Sequence, residues 1–339
     1  MVITQEVNMT NPTLKKIAET LGISVSTVSR ALKKHPDISA ATRQKVLDLA
    51  QILDYEPNAS AVQLRTRNSK LFGILVPSIS NYFYESFIAA IEEDGRKNGY
   101  SIIILQSGND PEIEQENLKL FRQNRISGLF ACITPQTKDL AGFDKLRELE
   151  TPVIFFDKIP PGQQVQAVCL ADSAAGEMAA EAILHKKKKK VLALFGDRQL
   201  LITQKRMQAF TQTLTENNHT ITLQTVHTCS SEEARVQTNR FLADKTNRPD
   251  TIFCMSDEIL IGAMKALQEN NLRPPTSIAV IAISNGFIPK LFYPEITYVE
   301  TSGKQLGELA FARMLQCMER PLPPEEIILG SRLVEGGSL

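Results

Sequence analysis

Tryptophan is absent from the 339 residues, and cysteine and histidine are scarce, at five and four copies. No two cysteines stand as C-x-x-C, and an odd number excludes a fully paired disulfide framework. Cys132, Cys169 and Cys254 fall in apolar strand-like runs, Cys229 near a loop and Cys317 in a helical pattern, so all five read as small hydrophobes in a reducing compartment. None of His35, His185, His219 and His227 has a metal-ligand partner three or four residues further on, so neither a metal site nor a cofactor is expected. No apolar run approaches the roughly 18 residues that span a bilayer. The start, MVITQEVNMTNPTLKK, lacks the basic and apolar stretches of a secretion signal. A cytoplasmic location without a membrane partner is expected. Catalytic signatures are missing too: there is no G-x-S-x-G, H-E-x-x-H or P-loop, and no G-x-G-x-x-G after a strand. Nothing points to an enzyme.

Net charge is also absent, with 38 basic and 38 acidic side chains, but the balance is uneven along the chain. Residues 13–70 carry ten basic and five acidic side chains, an excess of five cations that the remainder cancels. A basic head on an acidic body points to a polyanionic partner for the head, although a solvated basic face would give the same count.

The head has the periodicity of three short helices. Leu14, Ile17, Ala18 and Leu21 recur at helical spacing behind a capping Thr13. Gly22 supplies a tight turn, and Ser24 caps a second helix whose apolar side is Val28, Ala31 and Leu32. After His35-Pro36-Asp37, Ser39 caps a third helix that buries Val46, Leu49, Ala50 and Leu53, and Pro57 is expected to break it. Two helices joined by a glycine turn make a helix-turn-helix unit. The second helix, GISVSTVSRALKK with its flanks, is crowded with hydroxyls that favour neither helix nor core. In this geometry its N-terminal residues enter the major groove. Val25 then suits a thymine methyl, Ser26 faces a base edge, Arg30 suits a guanine or a phosphate, and Ser24, Thr27 and Ser29 suit phosphate oxygens. A small bundle mediating protein contacts is the alternative. The following YEPNASAVQLRTRNSK reads as a linker able to fold on DNA. Its Leu64 is either an apolar wedge for the minor groove or a residue packed beneath the linker.

Residues 13–66 resemble the lactose/galactose-repressor (LacI/GalR) family of bacterial transcription regulators, through Thr27-Val28-Ser29-Arg30, Ser39…Thr42-Arg43…Val46 and Tyr55-x-Pro57-Asn58…Leu64. The resemblance implies that Val25, Ser26 and Arg30 read bases, that Asn58, Ala61 and Leu64 belong to a hinge helix, and that Leu64 intercalates at the operator centre. Lys33 departs from it, since relatives often carry asparagine there.

From Leu71 onward the pattern alternates. FGILVPS, YSIIILQ, SGLFACI, TPVIFFD, KVLALFGD, TITLQTV, DTIFCMS and SIAVIAIS are strand-like runs, and helical stretches such as Tyr84–Lys97, Gln204–Glu216 and Glu258–Glu269 separate them. Alternation of this kind means parallel sheets with crossover helices, here two doubly wound lobes with a cleft between them. The fold class is therefore multidomain: an N-terminal all-α helix-turn-helix head and an α/β core. The expected divisions are 1–56 for the head, 57–70 for hinge helix and linker, and 71–339 for effector binding and dimerisation.

Ligands bind beyond the carboxyl ends of such strands, which here supply residues 80–84, Asp157-Lys158, Asp172, Ser256-Asp257 and Ser284-Asn285, with Arg206 near the start of a helix. An aromatic ring with converging Asp, Asn and Arg side chains suits a polyol. Asp172 and Asp257 are equally readable as helix N-caps. The run HKKKKK at 185–190 invites a nucleic-acid or targeting reading, but it lies between a helix and a strand, where a solvated loop accounts for it, and no function is assigned to it. The family resemblance extends loosely over the core as a periplasmic-binding-protein-like fold, with chain crossovers near residues 160, 290 and 322. That divides the core into lobes of 71–160 with 291–322 and 161–290 with 323–339. It implies an effector pocket at Asn81, Phe83, Asp157, Arg206, Ser256, Asp257 and Ser284. Ala282-Ile283-Ser284-Asn285 lacks a customary carboxylate, and Gln208 replaces a customary glycine. The implied partners are double-stranded operator DNA, a sugar or sugar derivative, and a second copy in a homodimer or a larger tetramer. A solute-binding protein without DNA contacts is the rival, and it leaves the head unexplained.

Overall fold

The computed structural model describes residues 13–55, 69–217 and 221–339. They divide into two units, one ending at Ser69 and the other running from Lys70 to Leu339.

In the first unit, α1 (Leu14–Leu21), α2 (Val25–Leu32) and α3 (Ala40–Ile52) follow the sequence periodicity. Thr13, Ser24 and Ser39 each accept a hydrogen bond from the backbone N–H three residues on, at 3.1–3.2 Å. Such caps satisfy donors that the helix itself leaves open. Gly22 ends α1 at a φ of 64°, a left-handed conformation that side chains resist. The core is small: Ile17, Ala18, Val28, Ala31, Val46 and Ala50, two residues from each helix. α3 ends ahead of the expected break at Pro57, because Asp54 turns left-handed (φ 49°) and the Tyr55 N–H closes on the Ala50 carbonyl at 2.8 Å. Arg43 braces the α2–α3 loop, its Nη2 donating to the carbonyls of His35 and Ile38.

The second unit contains two sheets. Its elements are β1 (Leu71–Val76), α4 (Tyr82–Lys97), β2 (Ser101–Gln106), α5 (Pro111–Gln123), β3 (Gly128–Ala131), α6 (Ala141–Arg147), β4 (Val153–Phe156), β5 (Ala167–Leu170) and α7 (Asp172–His185). Next come β6 (Lys190–Phe195), α8 (Leu201–Asn217), β7 (Thr222–His227), α9 (Ser231–Ala243), β8 (Thr251–Cys254), α10 (Asp257–Glu269) and β9 (Ala279–Ser284). A 3-10 turn (Ile288–Leu291), β10 (Thr297–Glu300), α11 (Gly303–Glu319), β11 (Glu326–Leu329) and β12 (Arg332–Val334) complete it. Lobe 1 has the strand order β11-β5-β4-β3-β1-β2 and lobe 2 the order β12-β10-β9-β8-β6-β7. All pairings are parallel except β12 on β10.

The chain crosses between lobes at Ala171, at Thr301-Ser302 and at Gly330-Ser331, later than the expected 160, 290 and 322. β5 still pairs with β4 and β11 in lobe 1, and β10 still pairs with β9 in lobe 2. Lobe 1 therefore takes β5, α11 and β11 but not β10. The strands responsible are four residues long, too short for their periodicity to separate them from loops.

Burial matches the parallel-sheet rule that strands covered on both faces are apolar throughout: β3, β4, β5, β8 and β9 are buried along their whole length. Phe87 of α4 stacks on Phe156 at 3.8 Å, and Phe210 of α8 on Phe253 at 4.2 Å. Helix α7 approaches α8 so closely that a Cβ at Gly176 would stand 2.4 Å from the Arg206 carbonyl oxygen. Only glycine permits that approach, which brings Arg206 within reach of Asp172. Among the described residues no helix is long and apolar enough to cross a membrane.

Candidate nucleic-acid interface and ligand cleft

The outer face of α2 is built by its inner one. With Val28 and Ala31 fully buried, helical geometry turns Val25, Ser26 and Arg30 outward, and Val25 is 43% exposed despite being apolar. The Ser24 hydroxyl lies 2.7 Å from that of Ser26 and 2.8 Å from that of Thr27, so the hydroxyls at this helix end form one small network. Thr27 and Ser29 are half-buried at its flanks. The unit thus shows an exposed face of mixed apolar, hydroxyl and cationic character, running from Ser24 to Arg30, on a short helix. That is the form in which a major groove is read.

In the α/β unit the carboxyl ends of both sheets converge. A cavity of about 220 Å³ has one wall from lobe 1, including Thr134, Thr137, Asp157 and Lys158, and the other from lobe 2, with Asp172 and residues 199–202, 204 and 205. Asp157 follows β4 at a φ of 57°, a conformation aspartate tolerates better than most residues. Its Oδ2 accepts from the Tyr84 hydroxyl at 2.7 Å and from the Cys132 thiol at 3.7 Å. Both donors hold their protons firmly: burial first, and then the Asp157 charge, raise Tyr84 well above its ordinary range and push Cys132 up to about 12. Across the cavity Asp172 accepts from Arg206 Nε at 2.9 Å, with Nη2 at 2.8 Å, while Arg206 Nη1 donates to the Met255 carbonyl at 3.1 Å. Both side chains are about 95% buried. Desolvation outweighs the neighbouring guanidinium, so the Asp172 carboxyl is raised.

Glu114 of α5 holds the lobe 1 wall from behind. Fully buried, it accepts from the Thr134 N–H at 2.9 Å and the Thr137 hydroxyl at 2.7 Å, and burial raises its carboxyl. Lys158 Nζ donates to Asn109 Oδ1, and Lys205 approaches Glu326 of the opposite lobe at 3.9 Å. That ion pair is half-exposed and contributes little.

Asn285 clasps the lobes at another point. Its Nδ2 donates to the Tyr82 carbonyl at 3.2 Å, its Oδ1 accepts from the Gly303 N–H at 3.0 Å, and the Tyr82 and Phe287 rings meet at 5.2 Å. Asn285→Ala is expected to lower hydrogen-exchange protection of the Gly303 amide about tenfold, the loss of one net hydrogen bond of about 1 kcal/mol or slightly more. Unchanged protection would remove Asn285 as the clasp.

Residues 13–58 match the profile described as "Bacterial regulatory proteins, lacI family", and residues 167–339, just over half of the chain, match "Periplasmic binding protein-like domain". The chain belongs to the lacI family of bacterial regulatory proteins. The HTH-type transcriptional repressor PurR of Vibrio vulnificus (strain CMCP6) is 26% identical over 90% of this chain and 91% of its own. The ribose operon repressor of Haemophilus influenzae is 26% identical over 91% and 92%. In structure, the lac repressor dimer bound to operator and the anti-inducer ONPF superposes with a TM-score of 0.85 at 22% identity, over 97% of this chain and 99% of that one, which establishes the shared fold. As a lacI-family protein the chain is a ligand-responsive DNA-binding transcription regulator and not an enzyme.

The core residues singled out in this lacI-family sequence are distributed rather than gathered. Asp157 lines the cavity, and Arg206 stands behind Asp172, which lines it as well. Asn81 and Ser256 spend their side chains capping α4 and α10. Phe83 is half-buried beside Tyr84. Asp257 is tied to Ser284, whose hydroxyl donates to it, and to the Asn285 N–H at 3.0 Å; burial raises its carboxyl. Neither Asp172 nor Asp257 is a cap: both are the first residue of their helix, and only α10 is capped by a side chain, that of Ser256. Asn58, Ala61 and Leu64 lie outside the described residues. Sequence reasoning missed Thr134, Thr137, Gln199, Gln204 and Lys205, although they follow β3 and β6 at the strand ends where the rule for open sheets places ligands.

Proposed function

We propose that the protein represses transcription in the cytoplasm as a homodimer, or a pair of such dimers, on a palindromic operator, and that a sugar or sugar derivative bound between the lobes controls it. One observation carries the reading: a single cavity takes its walls from both lobes of a unit joined to a groove-reading helix. An occupant that prefers one lobe arrangement shifts the population of the whole unit, which is the requirement for allosteric control. Hydroxyl, amide, carboxylate and ammonium groups set among apolar side chains such as Ile133, Ile159 and Ile202 line the cavity and suit a polyol. The volume of about 220 Å³ is below the roughly 300–1,000 Å³ of drug-sized sites and suits one sugar ring. The ribose operon repressor, a relative over nine-tenths of the chain, is named for a sugar operon. Val25, Ser26 and Arg30 are assigned to base edges, Ser24, Thr27 and Ser29 to phosphates, and Asn58, Ala61 and Leu64 to the hinge. Asn81, Phe83, Asp157, Arg206, Ser256, Asp257 and Ser284 are assigned to the effector or its supports. One head reads too few base pairs for useful specificity, and a two-fold dimer on a two-fold site overcomes this.

Selection of bound duplexes from a random pool at physiological salt tests the reading: a two-fold symmetric site is expected, and sequence-blind binding would refute it. On the selected site, Arg30→Ala is expected to cost about 1–3 kcal/mol and to relax preference at one base position. A uniform loss over all sequences would make Arg30 a phosphate contact instead.

A further inference from the structure

The lysine run remains unabsorbed by this function. Because the carboxyl ends of both sheets face the cavity, their amino ends point away from it, at opposite poles of the α/β unit. The chain enters the unit at Lys70, beside the start of β1 at the lobe 1 pole. Lys186 to Lys189 occupy the turn between α7 and β6, and Lys190 opens β6, at the lobe 2 pole. There the fold adds a second loop, which the sequence alone does not place nearby. Lys190 Nζ donates to the Thr246 carbonyl at 2.9 Å, and the Lys189 N–H donates to Asp250 Oδ2 at 2.9 Å, bringing Lys245 and Arg248 to the same pole.

The balance of charge is one-sided. Lys187, Lys188, Lys189, Lys190, Lys245 and Arg248 share these two loops with two carboxylates, Asp244 and Asp250. Both carboxylates are already engaged, Asp244 by the Thr246 and Asn247 N–H groups and Asp250 by the Lys189 N–H and the Thr251 hydroxyl. Lys186 borders a separate surface depression shared with Glu181 and Glu335. Among the described residues, Lys187, Lys188, Lys189, Lys245 and Arg248 have no ion-pair partner. A cation at the C-terminal end of α7 is favoured by the helix dipole, which accounts for Lys186 and one neighbour but not for six cations on two loops. In a chain of zero net charge, such a field is a local feature that attracts polyanions.

We propose that the lobe 2 pole is a second, sequence-blind DNA-binding surface that holds the phosphate backbone of a duplex other than the one read by α2. Lysines are point-charge partners for phosphate and are depleted in protein–protein interfaces, which disfavours an acidic protein as occupant. The inference rests on the operator-binding reading for its supply of DNA: a head bound to a chromosome keeps neighbouring duplex at high effective concentration.

The test uses the full chain on an immobilised operator duplex, challenged with a labelled duplex that lacks the operator. Binding to the operator and capture of the second duplex are read separately. Failure of the first overturns the proposed function, and failure of the second alone overturns this inference. The wild type is expected to capture the second duplex at 50 mM salt and to lose it about a hundredfold by 200 mM, the dependence expected for about four phosphate contacts. The variant Lys187→Gln, Lys188→Gln, Lys189→Gln, Lys245→Gln is expected to capture at least tenfold less at equal operator occupancy, which also shows that it is folded. Equal capture by this variant would overturn the assignment. So would competition by poly-glutamate as effective, charge for charge, as competition by duplex, because the partner would then be an acidic polypeptide.

Discussion

Asp172→Ala is expected to destabilise the α/β unit by about 3–5 kcal/mol, the usual loss when one partner of a buried ion pair is removed. The melting temperature should fall by roughly 10 °C. The expectation follows from what stays behind. Arg206 is about 95% buried, and without Asp172 it keeps only the Met255 carbonyl; a guanidinium cannot shed its proton to escape. The reverse variant, Arg206→Ala, should cost less, and its cost should depend on pH. It strands a carboxyl, and a stranded carboxyl takes up a proton. Burial already raises Asp172 in the presence of Arg206, so removing the cation raises it further. A carboxyl raised on folding binds more protons folded than unfolded. Its contribution is therefore present below the ordinary aspartate range and is lost as pH climbs through the raised value. The Arg206→Ala deficit should be smaller at pH 5 than at pH 8, while the deficit of Asp172→Ala, which removes the raised carboxyl itself, should narrow as pH climbs through the wild-type value. Calorimetry at the two pH values decides; equal and pH-independent deficits would show that the pair is not acting as a buried charge pair. The buried Glu114 and Asp257 are raised by the same cause, so the wild-type unit should also lose some stability as pH rises from the carboxylate range toward neutrality.

Ile17→Ala is expected to abolish operator binding without touching DNA. Ile17 is fully buried in a core of six residues, and truncating such a side chain costs about 2–5 kcal/mol. A helical unit of this size rarely holds more than about 5 kcal/mol in total, so the substitution unfolds much of the head population. Operator affinity should fall by a hundredfold or more, with loss of amide protection in α1–α3 and an unchanged calorimetric transition for residues 70–339. Retained affinity would mean that the three helices draw stability from elsewhere. A fall in both units would mean that they do not melt independently.

These two expectations draw on different depths of legibility. The head core was readable because Leu14, Ile17, Ala18 and Leu21 repeat at helical spacing and because Thr13, Ser24 and Ser39 are caps whose chemistry is local. The alternating apolar runs were readable for the same reason, as parallel strands are buried on both faces. The lobe boundaries were not, since β5, β10 and β11 are four residues each and their sheet is chosen by hydrogen-bond partners distant in the chain. Nor was the partnership of Asp172 with Arg206, which lie 34 residues apart and meet only because Gly176 lets α7 approach α8. Glu114 gave no signal on an amphipathic helix, where a carboxylate ordinarily faces water.

By itself, then, the sequence determined the helix-turn-helix head, the outward face of α2, the α/β alternation and the resemblance to the lacI family, all of which rest on short-range periodicity, caps and motif spacing. The tertiary structure decided where the chain changes lobes, which strand-end residues line the cavity, which polar residues are spent on each other, and that the lysine run is joined by Lys190-Thr246 contacts to a second basic loop. Those outcomes depend on contacts between residues far apart in the chain, and a linear pattern records a residue's chemistry without recording which distant groups will be brought against it.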